Sequence, residues 1–305
     1  MALGTALIVF VFIVFGIFSI VRFTQSSGLT PGLIGKLIFD DGIELAASSG
    51  RTNILILGIG GGNHEGADLT DTMIVLSLSA STKSAALVSI PRDIWSDTLK
   101  DKVNTAYHYG EEKRTSDGMI LSRVVAEDVI GMPIHYAILI DFSGFQEMID
   151  LIGGIDVNVS SAFTDSEYPI PGKEQDTCPP DDPTNRCVYE TVHFDSGREH
   201  MDGARALIYV RSRHAEGEEG SDFARSRRQQ DVLVAVKEKI MHPLTWVTPY
   251  RLSVMPDVLD RVIDTDMNIG ELATVVRKYV KIQESAVSKI AFDSLLTTPA
   301  PYQYN

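Results

Sequence analysis

The chain has 305 residues, 44% of them hydrophobic and 22% charged, with 27 basic against 41 acidic side chains and a formal charge of −14. The apolar fraction excludes intrinsic disorder, and the spread of 24 glycines and 13 prolines excludes collagen-like or low-complexity material. A chain this acidic, without a basic tail, does not suit a nucleic-acid backbone, so no nucleic-acid partner is expected.

Residues 2–21 carry no charge, and residues 7–18 (LIVFVFIVFGIF) are almost wholly apolar. Twenty such residues cover roughly 30 Å as a helix, the hydrocarbon thickness of a bilayer. No A-x-A pattern comes after Arg22, so residues 1–22 are expected to be an uncleaved transmembrane anchor rather than a signal peptide. Arg22 on the C-terminal side argues, alone, against export of the domain beyond it. Residues 23–47, with TQSSG and Pro31, read as a tether, and residues 48–305 as one domain.

Within that domain, residues 52–58 (TNILILG), 72–78 (TMIVLSL) and 85–90 (AALVSI) predict three early strands. Helical periodicity comes next at 117–130, then a strand at 137–140, and a helix at 142–152 before Gly153-Gly154. Then come a strand at 155–159, a short helix at 203–210 and a long one at 222–240. This alternation predicts an α/β domain with a mixed central sheet and helices on both faces. Residues 165–195 hold five prolines and both cysteines, Cys178 and Cys187, and read as a surface insertion that one disulfide would pin.

Several common chemistries are absent. Gly58 to Gly62 (GIGGG) comes after a strand, but no G-K-[ST] succeeds it and the next element is a strand, which cannot hold phosphate as a helix N-terminus does. The seven histidines show no H-x-x-x-H or H-E-x-x-H spacing, and no serine sits in G-x-S-x-G.

The arginines say more. Seven of the chain's sixteen fall between Arg198 and Arg228, a window without lysine. Arginine offers a planar fork that grips phosphate bidentately. In an extended segment Arg211 and Arg213 share one face. Downstream, Ser221 or Asp222 caps a helix on which Arg225, Gln229, Leu233, Val236 and Ile240 form the inward stripe. A guanidinium held there needs an anion, either an internal carboxylate such as Asp93 or Asp141 or a ligand. Arg92, after Ile90-Pro91 at a strand end, is placed to face a crevice beside the sheet, and together these arginines suggest a diphosphate. Asp68 and Asp71, in ADLTD, are candidate ligands for a divalent cation bridging it, and Lys102 and Asn104 candidate contributors to the same pocket.

Five ordered segments, SIPRD (89–93), DKVNTAYHYG (101–110), FSGFQEMIDLIGGIDVNV (142–159), MDGARALIYVRSRH (201–214) and SDFARSRRQQ (221–230), resemble the LytR-CpsA-Psr family over about residues 50–240. The resemblance implies an N-terminal membrane anchor, an extracytoplasmic α/β domain, and transfer of a glycopolymer from a polyprenyl diphosphate carrier to a peptidoglycan acceptor, assisted by Mg2+. It implies Asp71 as a metal ligand, Arg92, Arg211 and Arg225 as catalytic, and Arg213 and Gln229 as diphosphate-binding. Asp93 is a candidate base for the acceptor hydroxyl. Where many members carry an aspartate two residues after the loop's first glycine, this chain has Gly60, so a metal ligand is either missing or replaced by Asp68 or Glu65. A hydrolase using water as acceptor, or a non-enzymic module holding polyprenyl-linked sugars, are the competing expectations.

Overall fold

The computed structural model describes residues 42–61, 66–114, 117–170, 172–173, 176–179, 186–242, 245 and 249–291. The expected anchor lies outside these residues, among which no helix is long and apolar enough to cross a membrane.

In chain order the elements are strands β1 (Arg51–Ile59), β2 (Thr70–Ser79), β3 (Ser84–Ser89), β4 (Trp95–Ser96) and β5 (Asp101–Lys102), then helices α1 (Ala106–Lys113) and α2 (Gly118–Ile130). Next are β6 (Tyr136–Asp141), α3 (Phe142–Leu151), β7 (Ile155–Val159), β8 (Phe163–Pro169), β9 (Tyr189–Phe194), β10 (Gly197–Met201), α4 (Gly203–Arg211), α5 (Asp222–Met241), α6 (Pro249–Val262), β11 (Ile263–Thr265), α7 (Ile269–Val280) and β12 (Val287–Ala291). The main sheet runs β11-β6-β1-β2-β3-β12. Strand β1 is parallel to β6 and antiparallel to β2, and β3 is antiparallel to β2 and parallel to β12. The expected mixed sheet is therefore present.

Alternation along the strands assigns the two faces. Leu55, Leu57, Met73 and Val75 meet Val103, Ala106, Val125 and Ala126 on the α1–α2 side. Ile54, Ile74, Leu76 and Leu87 meet Val234, Met267 and Val275 on the α5–α7 side. Helices cover both faces as the sequence predicts. A third cluster joins Ile149, Val157, Phe163, Phe194, Met201, Tyr209, Val232 and Ala235 into a second core away from the main sheet. Helix α5 serves both its own side of the sheet and this second core, with Val234 in one cluster and Val232 and Ala235 in the other.

Two segments differ from the sequence reading. Residues expected at the end of the tether pack on the domain. Leu45 is buried, Ile43 N donates to Thr274 Oγ1 (3.2 Å), and Ala46 N donates to Tyr136 Oη (2.9 Å). The proline-rich segment is not wholly irregular, because its flanks pair as the antiparallel ribbon β8–β9, with a register shift between Asp165 and Tyr168. The strand period there was hidden by that shift, which puts Phe163, Asp165 and Tyr168 all inside. Cys178 and Cys187 are bridged, with Cα atoms 5.7 Å apart.

Candidate functional site

Strands β1, β3 and β6 point the same way, so their C-terminal ends and the start of β2 share one end of the sheet. Ligands of open α/β sheets bind at this kind of crevice. Asp71 and Thr72 open β2 there, Arg92 comes after β3 and Pro91, and Phe142 directly after β6. The second core supplies the opposite wall, from β8, the end of α4 and the start of α5. Between them lies a pocket partly open to solvent. Its lining includes Asp71, Phe142, Asp165, Tyr168, Arg211, Arg213, His214, Arg225 and Gln229.

Four expected anion binders thus meet in one place: Arg211, Arg213, Arg225 and Gln229. Arg211 and Arg213 do not lie in one extended segment. Arg211 ends α4, and Ser212 turns the chain out of the helix with φ −54° and ψ 131°. The Arg211 guanidinium lies 4.4 Å from the Phe142 ring centroid and 5.8 Å from that of Tyr168, and among the described residues neither Arg211 nor Arg213 has a carboxylate partner. Arg225, only 6% exposed, pairs with Asp222 on its own helix (Nη2 to Oδ1, 3.0 Å), not with Asp93 or Asp141. Asp141 instead caps α3, accepting from Gly144 N at 2.7 Å. Burial pushes the Arg225 guanidinium below its ordinary pKa; Asp222 opposes this, while the like charges of Arg92 and Arg213 add to it. Concentrated positive charge at a half-closed wall is what a polyanion would relieve.

The remaining expected residues stand beside the pocket. Arg92 Nη1 donates to Asp71, tying the expected metal ligand to the expected catalytic arginine. Asp93 lies between Arg92 Nε (3.4 Å) and Lys102 Nζ (2.6 Å). Partial burial acts to raise its pKa, but the Lys102 hydrogen bond and the Arg92 charge outweigh it and hold the carboxyl below its ordinary value of 3.8. That makes Asp93 a poor base, and it does not line the pocket. Lys102 is accordingly engaged with Asp93 at the surface. Asn104 is buried: its N–H donates to Arg92 O (3.3 Å), its carbonyl accepts from Thr70 Oγ1 (3.1 Å), and it supports the Arg92 loop from beneath. Asp68 faces His108, whose Nδ1 lies 2.7 Å away. It does not share the pocket wall with Asp71, so of the two expected metal ligands only Asp71 reaches the pocket. Glu65 lies outside the described residues.

Sequence reasoning missed Phe142, Asp165, Tyr168, His214 and Arg228. The signal for Arg228 was present, since it lies one helical turn after Arg225 in the arginine window. Asp165 and Tyr168 fell inside the segment read as a surface insertion. Burial raises the Tyr168 hydroxyl pKa, partly offset by Arg211, so it is a neutral donor in this wall.

The sequence model of the LytR_cpsA_psr family matches residues 36–300. The polyisoprenyl-teichoic acid–peptidoglycan teichoic acid transferase TagU of Oceanobacillus iheyensis is 28% identical over 241 residues, covering 77% of this chain and 65% of that protein. The TagU of Bacillus cereus is 29% identical over 198 residues, covering 63% and 54%. The chain thus spans between about half and two thirds of the length of these curated relatives. Among solved structures, B. subtilis TagV shares the fold, with a TM-score of 0.56 at 22% identity over 80% of this chain and 85% of that one.

Proposed function

The chain belongs to the LytR-CpsA-Psr family, and we propose that it transfers a glycopolymer from a polyprenyl diphosphate carrier to cell-wall peptidoglycan. The observation that carries this reading is the convergence of Arg211, Arg213 and Arg225 on one pocket beside Asp71, with two of the three free of carboxylate partners among the described residues. The names of the TagU relatives, which describe transfer of teichoic acid to peptidoglycan, point to the same donor and acceptor classes.

In this reading Arg211, Arg213 and Gln229 grip the diphosphate, and Arg225 faces it from the helix wall. The acceptor hydroxyl oxygen forms a bond to the sugar-bearing phosphorus. The phosphoanhydride bond on its far side breaks, polyprenyl phosphate leaves with the electron pair, and the hydroxyl proton passes to solvent. Positioning and charge neutralisation supply most of such a barrier reduction, which suits a wall built of guanidinium groups. Arg92, held by Asp71 and Asp93, adds a further cation at the sheet end.

The donor set also suits magnesium. Asp71, its side chain 38% exposed, presents a carboxylate at the pocket, and Mg2+ is commonly held by one or two carboxylates together with substrate phosphate oxygens. When bound there, it would neutralise charge on the diphosphate.

The Cys178–Cys187 bridge and the apolar run at 7–18 support an anchored domain facing the oxidising side of the membrane, with residues 1–22 spanning the bilayer. The test is incubation of membranes carrying the full chain with a labelled polyprenyl-diphosphate glycopolymer, with and without peptidoglycan. Label is expected in peptidoglycan, with polyprenyl phosphate released only when acceptor is present. Release without acceptor would make the protein a hydrolase, and retention without release a binding module; either result overturns the transferase reading.

A further inference from the structure

We propose that Arg228 and Asp165 are positioning residues: a buried cation and a buried anion that together hold residues 209–214 so that Arg211 and Arg213 face the pocket. The proposal rests on the reading of that pocket as a diphosphate site, but neither residue is among those the family resemblance marks.

The problem these residues solve is local. Helix α4 ends at Arg211, so its last carbonyls have no helical N–H to accept from, and the chain then leaves the helix at a buried serine, Ser212. Buried backbone groups left without partners are strongly unfavourable. Arg228, 2% exposed, meets the carbonyls. Its Nε donates to Tyr209 O (3.0 Å) and its Nη2 to Ser212 O (2.5 Å). Its Nη1 donates to Glu219 O (3.0 Å) and Glu219 Oε2 (3.1 Å), which holds the far end of the loop. Asp165, 1% exposed, meets the amides. Its Oδ2 accepts from Arg213 N (2.9 Å) and His214 N (3.2 Å), and its Oδ1 accepts from Glu167 N (3.0 Å).

The backbone of the arginine segment is therefore clamped by charge on both kinds of group, carbonyls by a cation and amides by an anion. The two clamps are joined as well: the Arg228 guanidinium packs 4.7 Å from the ring centroid of Phe163, two residues before Asp165 on β8. With both clamped, Arg211 and Arg213 are held in place before the ligand arrives, and less ordering remains to oppose binding. A planar five-donor fork reaches three backbone oxygens and a carboxylate at once, which a lysine ammonium cannot.

The test measures binding of farnesyl diphosphate by calorimetry to the full chain in detergent, with melting temperature recorded for each variant. Arg228→Met, Arg228→Lys and Asp165→Asn are each expected to weaken binding about tenfold or more, by loosening charge-assisted contacts made by Arg211 and Arg213. In an Arg211→Ala background the same changes are expected to weaken binding less than in the wild type, because they act through that residue. Arg205→Met is the control for simple loss of packing. Arg205 binds Glu199 (2.6 Å) and His193 O (2.6 Å) and stacks 3.6 Å over Phe194, but does not line the pocket. It is expected to lower the melting temperature and leave the affinity unchanged. Should Arg228→Met not fold, Arg228→Lys and Asp165→Asn give the same readout. Wild-type affinity in the folded variants, or a loss fully additive with Arg211→Ala, overturns the positioning role and leaves the diphosphate reading standing. A wild type that does not bind farnesyl diphosphate overturns both.

Discussion

The ammonium of Lys102 lies 2.6 Å from Oδ1 of Asp93, and this contact, made from the end of β5, keeps the carboxylate charged. A folded pKa below the ordinary 3.8 means that ionised Asp93 stabilises the fold above that value, and that this contribution is lost as pH falls through the lower folded pKa. Urea midpoints measured from pH 6 down to pH 2.5 should therefore fall less steeply in Asp93→Asn than in the wild type at the acid end. Both side chains are about half exposed and screened by solvent, so the difference should be small, about 0.5 kcal/mol or less. Identical acid limbs would show that the contact does not persist in solution.

Arg225 and Asp222 give a sharper expectation. Asp222 is 47% exposed, so removing its partner strands no buried charge. Arg225→Ala should retain most of the fold and lose about 1.5–3 kcal/mol of polyprenyl-diphosphate binding. Arg225→Lys should recover only part, because a point charge replaces a planar fork. Circular dichroism and a binding isotherm on the same samples decide it, and unchanged affinity in both variants would misplace the anion wall.

The pairing of Asp71 with Arg92 bears on metal dependence. Transfer should require a divalent cation, and Asp71→Ala should be inactive. Asp68→Ala should be impaired without being dead, because Asp68 orders the neighbouring loop through His108. Gly60→Asp, which adds a carboxylate where many family members carry one, should lower the magnesium concentration needed for half-maximal rate. Undiminished transfer in excess chelator would leave the arginines alone to neutralise the diphosphate.

Cys178 and Cys187 close a short loop at a sequence separation of nine. A loop of this size is worth about 2.5 kcal/mol in the chain-entropy account. Both thiols should resist alkylation in unreduced protein taken from membranes. Two free thiols would count against the bridge and against an extracytoplasmic domain together.

Much of the fold was legible because burial and period agree in it. Residues 52–58 and 72–78 alternate between two covered faces, and the helix at 222–240 begins at Ser221, whose Oγ accepts from Ala224 N at 3.2 Å. The cations of the site were legible too, since arginines without lysines in an acidic chain stand out by composition. Their geometry was not. Whether Arg211 is helical depends on where α4 stops, and that is set by Arg228 and Asp165, which come from a later helix and from a separate strand. Lys102, Asn104 and Asp68 were expected in the pocket because they are near Asp71 and Arg92 in the chain or the motif. Each is instead engaged by a neighbour, Asp93, the Arg92 backbone and His108 respectively, and such pairings across loops leave no periodic trace. Tyr168 was missed because the register shift in β8 breaks the alternation that marks a strand.

The placement of α5 across two cores has a consequence for biosynthesis. Asp71 and Arg92 are made early, whereas Arg211, Arg213, Arg225 and Gln229 come more than a hundred residues later. A chain delivered N-terminus first has its sheet end long before it has the opposite wall. Gln230 adds a last dependency, donating from Nε2 to Ser89 Oγ (2.8 Å) and to Ile290 O (2.9 Å). The helix that carries Arg225 and Gln229 is thus fastened to β12, and a partly delivered chain lacks the support that sets this wall of the pocket in place. The pocket is therefore complete only after residues well beyond its own lining have been made.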